Sequence, residues 1–311
     1  MALMRIGSRG SKLALWQAEH IASILRGMGN EVAIEKIVTT GDRITNAPFA
    51  RVGTKGMFLK EIEEALIEKR VDLAVHSLKD VPTEMPVGLV IVAILLREDA
   101  RDAFLSLHHA SIEQLPRGAK VGTSSLRRQA QLRAIRPDLD VQELRGNVDT
   151  RIRKLEAGEY DAILLAAAGV KRLQLVQHVK EWLEPDVMCP APGQGALAIE
   201  VRAEDELTHS IVRQLDHAPT RAAVECERAA LQKLGGGCHL PVGAYAVHQS
   251  GELKLRAVVA RPDGKEVIRK EQMGADPVAL GNELAESLLQ AGAAKILHEL
   301  EDANAREAHD A

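Results

Sequence analysis

Three groups of residues in this 311-residue chain have the types and spacing to do chemistry. The first is Cys238, set in the run Leu234-Gly-Gly-Gly-Cys-His-Leu-Pro-Val-Gly-Ala-Tyr-Ala246. Three consecutive glycines permit backbone angles closed to other residues and let a second body approach the sulfur closely. Pro241 and Gly243 then set the exit into a strand. Taken by itself, the run reads equally as a helix C-cap and turn with a small apolar cysteine packed beneath it. The second group closes an apolar strand, Val71-Asp-Leu-Ala-Val-His-Ser-Leu-Lys-Asp-Val-Pro82, which delivers His76, Ser77, Lys79 and Asp80 to one place. A carboxylate there can accept N–H hydrogen bonds, stabilise a cation and pass protons. The third group is basic: Arg127, Arg128, Arg133 and Arg136, then Arg145, then Arg151, Arg153 and Lys154, then Lys171 and Arg172. A guanidinium fork donates two parallel charge-assisted hydrogen bonds, which suits carboxylates. Arginines clustered at strand ends imply a ligand carrying several carboxylates or phosphates. Arg133, Arg136, Arg153 and Lys154 read instead as solvated helix faces.

Other chemistries are excluded. His76 and Asp80 are four apart, but Pro82 stops any helix there and no further ligands cluster nearby, so no metal site is expected. The three cysteines, Cys189, Cys226 and Cys238, form no CxxC pair. Neither a disulfide framework nor a zinc site follows, and a reducing compartment does. No GxxxxGK[ST] or GxSxG run is present, and Gly193-Gln-Gly-Ala-Leu-Ala198 matches GxGxxA only after prolines and at the start of a strand, the wrong setting for a dinucleotide. A net charge of -4 and 2% aromatic residues weigh against a nucleic-acid surface. No apolar run approaches membrane-spanning length, and the N-terminus enters a strand without a charged-then-apolar leader. A soluble cytoplasmic protein is the expectation.

The elements that must position these groups alternate between strand and helix, as in an α/β fold with largely parallel sheets. Strands are expected over 4–8, 32–38, 71–76 and 89–96, with helices over 11–28 and 57–69 and a long loop over 40–56. A second unit repeats the pattern: strands over 119–123, 141–144 and 161–165, helices over 124–135 and 148–157. Gly7-Ser-Arg-Gly-Ser11 and Gly122-Thr-Ser-Ser-Leu-Arg127 both join a strand to a helix through hydroxyl residues. Such junctions aim N–H groups and the positive helix end at an anion, and two in matching positions suggest a cleft between similar domains. A strand over 196–201 returns to the first domain. Helices over 205–215 and 220–234 lead to the cysteine, then come three strands of an antiparallel meander, helices over 277–300 and a frayed tail over 301–311.

Read together, Arg5-Ile-Gly-Ser-Arg-Gly-Ser-Lys-Leu-Ala-Leu-Trp-Gln17, Lys55-Gly-Met-Phe58, His76-Ser-Leu-Lys-Asp-Val-Pro82, Gly122-Thr-Ser-Ser-Leu-Arg-Arg-Gln129, Leu144-Arg-Gly-Asn-Val148, Pro192-Gly-Gln-Gly-Ala196 and Gly236-Gly-Cys-His239 resemble the porphobilinogen deaminase family. The motifs stand in the family's order and cover the chain almost end to end.

The resemblance implies an α/β fold of two domains like those of type II periplasmic binding proteins, with mixed, mainly parallel sheets, plus a small α+β domain with a three-stranded antiparallel sheet. The boundaries expected are 1–97 with 196–215, 98–195, and 216–311. It implies a dipyrromethane cofactor joined by a thioether to Cys238. Four porphobilinogen molecules are then added head to tail with loss of ammonia, and hydroxymethylbilane is released by hydrolysis. No metal, nucleotide, nucleic acid or membrane takes part, and a monomer is expected. Every pyrrole carries an acetate and a propionate, the cargo that arginines at strand ends suit.

By position, Asp80 matches the catalytic aspartate, which stabilises the cation formed when ammonia leaves. Ser11, Lys79, Thr123, Ser125, Arg127, Arg128 and Arg151 match residues that hold the cofactor carboxylates. Arg9, Arg145 and Arg172 match arginines for substrate or chain, Phe58 an aromatic near the substrate ring, and Gln194 and Lys55 a cleft-lining motif and a covering loop. Arg51 departs from the lysine of many relatives. A solute-binding protein on the same fold would account for the junctions and arginines, but gives Cys238 and the third domain no role.

Overall fold

The computed structural model describes residues 3–40, 59–237 and 240–309. Arg51, Lys55, Phe58, Cys238 and most of the expected loop over 40–56 lie outside the described residues. Packing divides the chain into two compact units, one of Met1–Arg97, Ala196–Arg221 and Asn304–Ala311, the other of Glu98–Gly195 and Ala222–Ala303.

The first unit is built on a five-stranded sheet from β1 (Leu3–Arg9), β2 (Glu31–Ile37), β3 (Leu73–Ser77), β4 (Leu89–Ile94) and β10 (Leu197–Arg202), in the order β2-β1-β3-β10-β4. β1 runs parallel to β2 and β3, and β10 is antiparallel to both β3 and β4, so β10 alone points the other way. All six residues of β10 are buried, as befits a strand covered on both faces. Helix α1 (Lys12–Gly27) turns Ala18, Ile21 and Leu25 onto one face, where they meet Ile6, Leu73 and Val75. Helix α2 (Lys60–Ile67) turns Ile62 and Leu66 onto the other, against Ala74 and Leu89. The alternation of Leu73, Ala74 and Val75 between the two cores is the period of a strand made visible.

The second unit holds a sheet of matching order. Its strands are β5 (Asp102–Ser106), β6 (Lys120–Gly122), β7 (Asp140–Gln142), β8 (Ala162–Ala166) and β9 (Val179–Leu183), arranged β7-β6-β8-β5-β9. β6 is parallel to β7 and β8, whereas β5 is antiparallel to β8 and β9. Helices α3 (Leu126–Ile135), α4 (Val148–Glu156) and α5 (Ala167–Arg172) follow β6, β7 and β8. β5 and β9 are absent from the pattern expected from sequence. β5 is short and opens on a charged residue, and β9 interrupts its apolar positions with Lys180 and Glu181.

The same unit carries the meander β11 (Val242–Gln249), β12 (Glu252–Ala260) and β13 (Val267–Gly274), antiparallel throughout. The β11–β12 hairpin turns on Ser250 and Gly251, both at positive φ, the two-residue geometry that matches strand twist. Its inner face packs Ala244, Leu255 and Val259 against α7 (Ala218–Lys233) and α8 (Pro277–Leu288). Asp276 caps α8 by accepting from Ala279 N at 2.7 Å, with Pro277 in the first turn. The mixed sheets and the three-stranded antiparallel sheet expected from the resemblance are present.

Two expectations are corrected. Gly292, at φ 112°, breaks the C-terminal helix, and α9 (Ala294–His309) then continues instead of fraying from Glu301. Arg133 and Arg136 are half-buried and engaged, not a freely solvated face. Arg136 donates to the carbonyls of Ile112 (2.6 Å) and Leu115 (2.8 Å) and pairs with Asp138, and Arg133 donates to Pro262 O at 2.7 Å. Carbonyls of distant turns are invisible to a helix-face pattern, and these two side chains are spent on them.

Helices α7 and α8 meet at Gly281, where a Cβ would stand 2.4 Å from Cys226 O and 2.8 Å from Ala229 Cβ. Gly281→Ala forces the helices apart, and a loss of about 1–3 kcal/mol is expected from overpacking. Urea unfolding checks it; an unchanged midpoint would show that the contact yields without cost.

Candidate active and cofactor site

In the first unit, parallel pairing puts the ends of β1 and β3 at the same sheet edge. Arg9 closes β1 and Ser11 follows it, and beyond β3 comes a 3-10 turn, Leu78–Asp80. Ser11 is the N-cap of α1, accepting from Ala14 N at 3.3 Å. Four bonds hold the β3 end. Leu78 N donates to Ala196 O, Val81 N donates to Leu78 O, Gln17 Nε2 donates to Ser77 Oγ at 2.9 Å, and His76 Nε2 lies 2.8 Å from Glu200 Oε2 with both side chains buried. Leu78 is buried, Lys79 half-buried and Asp80 exposed. A rigid turn thus presents a carboxylate to solvent at the edge where open α/β sheets bind ligands.

In the second unit the corresponding edge is formed by β6, β7 and β8. Thr123 is fully buried; its N–H donates to Gln142 O, and its Oγ1 accepts from Ser125 N at 3.3 Å. That local turn opens α3 at Ser125. Arg151, in the first turns of α4, reaches back to Gly146 O at 2.7 Å and Ser124 Oγ at 3.3 Å. Arg145 follows β7 and is tied to Glu143 Oε1 at 2.9 Å. Arg172 ends α5, donates to Gly195 O at 2.8 Å, and is pushed down to about 10 by burial.

Arg127 and Arg128, in the first turn of α3, point inward and are 4% and 5% exposed. They share one carboxylate, that of Asp102 on β5, which is fully buried. Arg127 Nη1 donates to Asp102 Oδ2 at 2.7 Å and to Cys189 O at 2.6 Å. Arg128 donates to Asp102 Oδ1 from Nη2 at 2.7 Å and from Nε at 3.1 Å. Gln194 Nε2 adds a further donor to the same Oδ1 at 2.9 Å. Burial by itself would push the Asp102 carboxyl up; the two guanidinium groups reverse this and hold it well below the usual carboxylate range.

Thr123, Ser125, Arg127, Arg128, Arg151 and Gln194 are therefore gathered around the start of α3. Arg145 and Arg172 sit farther along the same unit, and Arg9, Ser11, Lys79 and Asp80 belong to the other. Asp102 was missed in the sequence. Its signal was arithmetic: two arginines at consecutive positions of a packed helix need an anion, and the Glu98-Asp-Ala-Arg-Asp102 run offers one.

Among the described residues two cations share this one carboxylate, and Arg127 Nε is a buried donor without a hydrogen-bond partner. An acidic ligand group fits both facts. Among the described residues no cluster of His, Cys, Asp or Glu is placed to hold a metal.

A family model described as "Porphobilinogen deaminase, dipyromethane cofactor binding domain" matches residues 4–210, and one described as "Porphobilinogen deaminase, C-terminal domain" matches residues 221–290. The chain belongs to the porphobilinogen deaminase family. A curated porphobilinogen deaminase of Brevibacillus brevis is 50% identical over 303 residues, 96% of this chain and 98% of that one. Among solved structures, a periplasmic substrate-binding protein of an ABC transporter from Coxiella burnetii is 16% identical with a TM-score of 0.43, covering 70% of this chain and 93% of that one. A methionine-binding protein is 12% identical with a TM-score of 0.45, covering 68% and 89%. As a member of the porphobilinogen deaminase family the chain is an enzyme of tetrapyrrole biosynthesis with a dipyrromethane cofactor domain.

Asp102→Asn keeps the side chain's shape but leaves two buried guanidinium groups uncompensated. A loss of about 3–5 kcal/mol is expected at neutral pH. The Asp102 carboxyl is depressed in the folded protein, so its stabilisation is full above the unfolded value of about 3.9 and is lost as pH falls toward the lower folded one. Urea unfolding should show the difference between the two proteins narrowing below about pH 4. A difference independent of pH would refute the assignment.

Proposed function

We propose that this family member is a transferase that joins four porphobilinogen molecules head to tail, releasing ammonia at each addition, and frees hydroxymethylbilane by hydrolysis. The observation that carries the reading is the buried arginine pair: two guanidinium groups on one carboxylate, with the Arg127 Nε donor unpartnered among the described residues. When bound, the dipyrromethane supplies the pyrrole end to which substrate units are joined. Arg127 and Arg128, with Thr123, Ser125, Arg151, Ser11 and Lys79, hold its carboxylates. Arg9, Arg145, Arg172 and Gln194, with Lys55 and Phe58, receive substrate and chain. Asp80, exposed on its rigid turn, stabilises the positive charge that develops on the substrate as ammonia leaves.

Attachment at Cys238 is supported by what the other two cysteines cannot do. Cys189 and Cys226 are buried, and burial pushes both thiols up to about 12. A thiol held protonated is a poor nucleophile. Unpaired cysteines also suit the reducing cytoplasm, where we place the enzyme. No helix among the described residues is long and apolar enough to cross a membrane.

Intact mass spectrometry tests the tether. The protein should carry an excess equal to two linked pyrrole units, kept in Cys189→Ser and Cys226→Ser and lost in Cys238→Ser. An excess that survives Cys238→Ser overturns the assignment. Asp80→Asn retains shape but not charge. It should load its cofactor and bind substrate with little change in KM, while kcat falls by roughly 10²–10³; steady-state kinetics showing near-normal turnover would remove Asp80 from the chemistry.

A further inference from the structure

Glu227 lies in α7 and is completely buried. Its carboxylate joins two backbone segments far apart in sequence. Oε2 accepts from Gly193 N at 2.7 Å, and Oε1 accepts from Ala246 N, in β11, at 2.8 Å. Burying a carboxylate is costly, and well-packed apolar groups often stabilise as much or more. Stability is therefore a weak reason for this residue, and what it connects is a better one.

On one side, Gly193 is followed by Gln194, whose side-chain amide donates to Ala100 O at 2.7 Å and to Asp102 Oδ1 at 2.9 Å. Asp102 in turn carries Arg127 and Arg128. The segment has little freedom. Gly193 and Gly195 are at φ 73° and 90°, and a Cβ at Gly195 would stand 2.4 Å from Glu98 O. On the other side, α7 ends at Lys233 and β11 begins at Val242, so Glu227 ties together the two elements that flank Cys238 in the chain. Glu227, Gly193, Gln194, Asp102 and the arginine pair form one unbroken chain of bonds within the second unit.

We propose that Glu227 is a positioning residue for cofactor loading: it sets the elements flanking Cys238 in register with the arginine pair. The inference rests on the reading of Cys238 as the attachment point. In loading, the thiol sulfur bonds to the aminomethyl carbon of a porphobilinogen, the carbon–nitrogen bond breaks, and the thiol proton leaves with the amine as ammonia. A second unit then joins the first with loss of a second ammonia. Glu227 touches none of these atoms. It fixes where the sulfur's two arms stand relative to the guanidinium groups that receive the acid side chains.

Full-length apoprotein is mixed with porphobilinogen, and the two-unit adduct is followed by intact mass at a temperature well below every unfolding midpoint. Glu227→Gln keeps volume but offers one acceptor where two N–H groups need one each. It should load at least tenfold more slowly than wild type as a folded protein. Glu227→Asp keeps both acceptors on a shorter arm and should load at an intermediate rate, a rescue that a merely structural role would not produce. Folded Glu227→Gln that loads at the wild-type rate overturns the proposal. Where Glu227→Gln does not fold, wild-type loading by Glu227→Asp overturns it equally. A wild-type chain that gains no adduct sinks the Cys238 reading and this inference with it, and the wild-type arm alone reveals that outcome.

Discussion

Asp102 is the point on which the second unit turns. One fully buried carboxylate receives two guanidinium groups and a side-chain amide, and these donors come from α3 and from the segment that leads into β10. Coulomb attraction in a site shielded from water is strong only if each partner is held in place. Here the holding is mutual. Arg127 also donates to Cys189 O, Arg128 to Leu164 O, and Gln194 to Ala100 O. Donors held in this way are already oriented and already dehydrated.

The contrast with Asp80 is instructive. Both aspartates lie at sheet ends, yet one is buried among cations and the other is exposed on a 3-10 turn. The first is committed to structure. The second is left open to whatever the edge receives, and its scaffold is stiffened behind it by the buried His76–Glu200 contact and the Gln17–Ser77 bond. Rigid support behind an accessible carboxylate is the arrangement electrostatic stabilisation of a developing cation requires.

Much of the fold was legible in the sequence because its signals are local. The hydroxyl junctions that open α1 at Ser11 and α3 at Ser125 each act within a few residues. The strands β5 and β9 were not legible, since β5 is five buried residues that begin with the site's own aspartate. Arg133 and Arg136 looked solvated because their acceptors are backbone carbonyls at Pro262, Ile112 and Leu115. In the site, the glycine-hydroxyl junction and the strand-end arginines were visible as types. Asp102 and Glu227 were not, for each stands near other acids in the chain and is distinguished from them only by partners that folding brings near.

The reversed strand β10 has a bearing on how the chain is made. β10 pairs with β3 on one side and β4 on the other, and every residue in it is buried. β3 and β4 have no direct neighbour in each other, so the first sheet lacks its keystone until residues 197–202 leave the ribosome. The second sheet needs nothing beyond Leu183 and can close while the first still waits with open strand edges. The order of synthesis is thus not the order of completion, and the sheet begun first is the later of these two to finish.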